Sequence, residues 1–163
     1  TDWANSFSSK KTPLAKRAVE EYDRKIHISN KKKLGYTEII AISASGEELA
    51  WERLNDQQDI IRIVLKRPLG VGQRIKLDLD YLIKLPDGRF TGYGRDNDQI
   101  NLRYWNIALS PFFREEWHNY SNINITDYSI QHANYEVRFT SNKKLIKLYK
   151  ATFEARATQI ELV

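Results

Sequence analysis

The side chains with most scope for chemistry in this 163-residue chain are three histidines, His27, His118 and His132, and the adjacent carboxylates Glu115 and Glu116. Helical zinc chemistry needs H-E-x-x-H, two His one turn apart that share an ion, with a Glu between them to take a proton from the metal-bound water. No two of these His lie four residues apart, so each reads as a solvated or hydrogen-bonded side chain. Acid–base work by Glu115 or Glu116 would need one carboxyl with a raised pKa and a partner in a cleft, and the sequence supplies neither. Nucleophilic catalysis lacks its signatures too, since there is no Cys and no G-x-S-x-G elbow. Phe90-Thr91-Gly92-Tyr93-Gly94 has two glycines but follows a strand without opening a helix, so it predicts a tight bend with positive φ and no phosphate loop.

The aromatic residues Tyr93, Tyr104, Trp105, Phe112, Phe113, Trp117 and Tyr120 crowd one segment. Such rings fill the end of a β-sandwich and pack on a neighbouring domain, or stack on a ligand's flat face. Tyr93, Trp105, Trp117 and Tyr120 are the candidates for a domain-interface or binding role.

The elements that would position them follow from periodicity. Thr12 caps and Pro13 opens a helix predicted over residues 13–22, with Leu14, Ala15, Ala18, Val19 and Tyr22 at helical spacing. From Tyr36 the period becomes two, as in half-buried strands. Strands are expected over 36–43, 49–54, 60–65 and 75–85, joined as meander hairpins at Ser45-Gly46, Asn55-Asp56 and Pro68 to Gly72. Further strands are expected around Tyr135 to Phe139, Leu145 to Phe153 and Thr158 to Val163. The expected fold is mostly β, an antiparallel sandwich or curved saddle-like sheet with one short N-terminal helix, in a single domain over 1–163 whose β-meander runs over 36–163.

Charge is local. Residues 1–33 hold nine Lys and Arg against four Asp and Glu, whereas the remainder is balanced. Glu20, Glu21 and Asp23 interrupt the basic run and the β-region is neutral, which argues against a nucleic-acid groove. No stretch approaches the ~20 apolar residues of a membrane-spanning helix. With Thr1 first and no Met anywhere, the chain reads as a piece of a longer one.

The order Tyr81-x-x-Lys84-x-Pro86, Phe90-Thr91-Gly92-Tyr93-Gly94, Asn101-Leu102 then Trp105, Pro111, and Trp117 then Tyr120-Ser121 resembles the N-terminal β-domain of bacterial zinc aminopeptidases of the aminopeptidase N-like gluzincin family. Asp2-Trp3-Ala4-Asn5 and the run Lys11 to Arg17 fit the same branch. The resemblance implies a non-catalytic domain that packs on a catalytic domain of the same polypeptide and walls its peptide cleft. Zinc, the general base and an electrophilic Tyr would come from that other domain, and this chain alone would hold no cofactor. Relatives of this kind often work outside the cytoplasm. The family's Gln or Glu that holds a substrate's amino terminus has no matching motif between Trp105 and Tyr120, so that role passes to neither Glu115 nor Glu116. The alternative is a free-standing β-sandwich module that binds glycan or protein through its aromatic end.

Overall fold

A computed structural model describes residues 3–55, 57–97, 99–102, 105–119 and 121. Residues 1–130 and 131–163 fall into separate units, and every described residue belongs to the first. The strands expected beyond residue 121, together with His132, Tyr104 and Tyr120, lie outside the described residues.

The chain is mostly β, in small antiparallel sheets with two short helices, and no barrel closes among the described residues. Helix α1 spans Pro13–Glu20, with the Thr12 hydroxyl accepting from Ala15 N as its cap. It stops two residues short of the expected Tyr22. Tyr22 instead takes a left-handed φ of 60°, and Asp23 N bonds back to Ala18 O at 2.7 Å, a Schellman-type ending built on a residue other than glycine. Its ring, expected on the apolar face, is 91% exposed. A second helix, α2 (Lys25–Ile28), stands where a connection was expected. His27 joins the two helices, its Nε2 donating to Ala15 O at 2.8 Å.

Strand β1 (Tyr36–Ala44) turns at Ser45-Gly46, both with positive φ, into β2 (Glu47–Glu48). Beyond Leu49, whose N–H still bonds Ile42 O at 2.9 Å, the chain continues as β3 (Ala50–Leu54), which pairs with β4 (Gln57–Val64) in a different sheet. Strand β5 (Leu77–Lys84) then returns to the open side of β1, giving the order β2-β1-β5. The expected simple meander is therefore corrected: β1 has β5, not β3, as its long partner. The reason is the kink at Leu49, which sends one extended segment from the first sheet to the second, as corners of packed sheets do.

Between these sheets lies one core cluster, with Ile39, Ile42 and Leu49 at its centre and Trp51, Ile61, Ile63, Leu77, Leu79 and Tyr81 around them. A register shift between Ile39 and Ala41 lets Ile39 and Ile42, three residues apart, both point inward and turns Ile40 out to 60% exposure. A bulge does this by inserting one residue into a period of two.

The second cluster is Trp3, Phe7, Leu14, Ala15, Ile26, Leu34, Phe90 and Tyr93. The segment before β1 is thus half of the core. Trp3 caps and Phe7 ends a 3-10 turn (Ala4–Phe7), their rings meeting edge to face at 5.9 Å, and Phe7 stacks on Phe90 at 6.0 Å.

Candidate functional site

The four aromatic candidates separate. Tyr93 is fully buried, 6.1 Å from the Trp3 ring and 5.9 Å from Phe7, so it belongs to the core and its placement on an interface is corrected. Trp105 is half-buried against the same cluster. Trp117 is exposed, at 54%. Tyr120 is outside the described residues.

The bend that buries Tyr93 is built as the two glycines predict. Gly92 and Gly94 have φ of 74° and 116°. At Gly94 a side chain would overlap the Pro86 carbonyl, because Arg95 N reaches in to bond that oxygen at 2.9 Å. Strands β6 (Gly94–Asp96) and β7 (Gln99–Asn101) follow as a short ribbon.

Trp117 stands on a second ribbon, β8 (Phe112–Phe113) and β9 (Glu116–Trp117), in the register Phe112 with Trp117 and Phe113 with Glu116. The two loop residues, Arg114 and Glu115, both have positive φ, 52° and 66°. A two-residue hairpin loop of type I′ demands this backbone, and Asn-Gly usually supplies it. Without glycine the conformation costs roughly 1–2 kcal/mol per residue. Glu115, in the loop, and Glu116, on β9, are both exposed.

Both faces of this ribbon carry rings. Phe112 and Trp117 pair across the strands at 4.9 Å while remaining 49% and 54% exposed. On the opposite face Phe113, 46% exposed, stacks on the His118 imidazole at 3.4 Å. The base is closed by His118 N bonding Pro111 O at 2.8 Å, and His118 Nε2 donates to Phe113 O at 3.3 Å. Beyond it, Ser121 Oγ donates to the buried Asp59 carboxylate on β4 at 2.7 Å, which ties the end of the motif to the second sheet.

Sequence reasoning saw the aromatic crowding but did not select Phe112 or Phe113, because the hairpin that presents them has no glycine or asparagine in its loop to announce it. Asp59 was missed because one acid in an alternating strand carries no signal until its partners are placed.

Among the described residues, no three His, Cys, Asp or Glu side chains gather into a metal site. No described helix is long and apolar enough to cross a membrane. Compared with protein families, with curated proteins and with solved structures, the chain finds no match.

Proposed function

We propose that this chain is the non-catalytic N-terminal β-domain of an aminopeptidase N-like zinc peptidase, packed against a catalytic domain of the same polypeptide and walling one side of its peptide cleft. The observation that carries the contact is the aromatic ribbon. Phe112, Phe113 and Trp117 stay about half exposed on a strained hairpin fastened at its base. Large rings held out in this way are the kind that anchor an interface. The ordered motif from Tyr81 to Ser121 supplies the family.

Zinc does not fit the described residues of this chain. His27 and His118 each give Nε2 to a backbone carbonyl, and they belong to different elements. The resemblance assigns the ion, its general base and the peptide chemistry to the catalytic domain, and an extracytoplasmic location to the whole.

The test is oxidative footprinting of the 163-residue chain and of the whole polypeptide. Phe112 and Trp117 should be modified in the first and protected in the second. Equal modification in both contradicts the contact. A second reading is favoured by the same exposed Phe112–Trp117 pair, a free-standing module that binds glycan or protein. Saturable heat on titrating a glycan into the chain, lost in Trp117→Ala, would favour it.

A further inference from the structure

On another part of the described unit, four cations border one open cleft of about 590 Å³. They are Lys32, Lys33, Arg89 and Arg95, and the carboxylates among them are Asp87 and Asp96. We propose that this cleft binds a phosphate-class oxyanion, free or carried as an ester.

The cations stand on backbone that is locked from several sides. Lys32 and Lys33 belong to the 3-10 turn Lys31–Lys33, which Asn30 caps through Lys32 N at 3.0 Å. Asp87 N bonds Lys33 O at 2.9 Å, and Lys84 Nζ bonds Lys32 O at 3.0 Å, so the turn is pinned to the end of β5. Gly88 N bonds Arg95 O at 2.8 Å and Arg95 N bonds Pro86 O at 2.9 Å, which fixes Arg95 beside the same turn. A preorganised cradle of this sort loses little entropy when an anion enters.

The donors are not used up. Asp87 takes Arg89 through Nε and one terminal nitrogen, at 3.0 and 2.8 Å, and has Lys33 at 3.9 Å. A guanidinium carries five N–H donors, so the rest of the Arg89 fork remains available. Arg95 spends Nε on Asn97 O at 3.3 Å and makes no ion pair with a described residue; the same holds for Lys32. Asp96, also exposed, opposes an anion in part. Cations still outnumber carboxylates four to two. Two planar guanidinium forks with ammonium groups beside them match a tetrahedral oxyanion, which can accept from several directions at once.

The test uses the full 163-residue chain at constant ionic strength, with amide NMR following titration by inorganic pyrophosphate and, separately, by phenyl phosphate. Saturable shifts at Lys32, Lys33, Gly88 and Arg95 with either probe support the site. The tighter of the two shows whether the free or the esterified form is preferred. Arg95→Gln should weaken binding about tenfold, the loss of one charge-assisted hydrogen bond, with an unchanged thermal melt. If that variant fails to fold, Lys32→Gln, whose exposed side chain holds no described partner, replaces it. Shifts at Lys10, Lys11 and Lys16 as large as those in the cleft, or wild-type affinity in the folded variant, would overturn the proposal.

Discussion

The side-chain amide of Asn5 answers both backbone groups of Thr37, Nδ2 donating to Thr37 O and Oδ1 accepting from Thr37 N, each at 3.3 Å. Asn5 here does the work of a neighbouring strand on the edge of β1 away from β5, where no described strand reaches Thr37. Arg53 adds a second donor to Thr37 O at 2.8 Å. Both Asn5 and Thr37 are buried, at 5% and 4% exposure, so water is not there to take over. Asn5→Ala should destabilise the chain by about 1–3 kcal/mol, the cost of leaving a buried donor without its acceptor. Urea unfolding reads this, and a midpoint equal to wild type would refute the pairing.

The two glycines of the bend should respond differently. At Gly92 a Cβ meets nothing within 4 Å, so Gly92→Ala costs only the left-handed conformation, about 1–2 kcal/mol. At Gly94 the side chain would meet the Pro86 carbonyl as well, and the bend that seats Tyr93 must open. Gly94→Ala should therefore lower the melting temperature well beyond Gly92→Ala, and equal losses would contradict the geometry.

Three tryptophans should likewise form a series. Trp3 is 1% exposed inside the N-terminal core, and Trp3→Ala should cost about 3–5 kcal/mol. Trp105, half-buried against that cluster, should cost less. Trp117→Ala removes a cross-strand pair with Phe112, worth about 0.2–1 kcal/mol to the chain alone. Thermal melts of the three variants would show that order, and a melt unchanged by Trp105→Ala would remove that side chain from the core.

Acid should act through Asp87. Side-chain hydrogen bonds from Arg89, helped by the charge of Lys33, hold its carboxyl below its ordinary 3.8 against the opposing effect of burial. A folded pKa below the unfolded one means stability that is complete above the unfolded value and lost as pH falls through the folded one. Asp87→Asn should therefore lose less melting temperature than wild type between pH 5 and the acid limit, to be checked by melts across that range. Glu47 is also lowered, by its hydrogen bond and charge pairing with Lys66. That pair is exposed on both sides, at 65% and 60%, and Glu47→Gln should change the acid limb little.

How much was legible follows from where the information sits. The alternation in Leu77, Leu79, Tyr81 and Ile83 located β5, and Ser45-Gly46 and Gly92 to Gly94 announced their bends, because period and glycine are local signals. The pairing of β1 with β5 was not legible, since it depends on a corner at Leu49 that no residue type marks. Nor was the burial of Trp3, which comes from the packing of segments some ninety residues apart in sequence, Phe7 against Phe90 and Trp3 against Tyr93. Of the candidate site, the ring cluster was visible in Phe112 to Trp117. The division between core Tyr93 and exposed Trp117 required the fold, because both are simply aromatic in a strand-like segment.

The central claim, that this chain belongs beside a zinc peptidase domain, is tested most directly by reading the parent frame through the codons that follow Val163. The account predicts H-E-x-x-H with a Glu further downstream in the same frame. A frame that closes shortly after Val163 without it would contradict the claim.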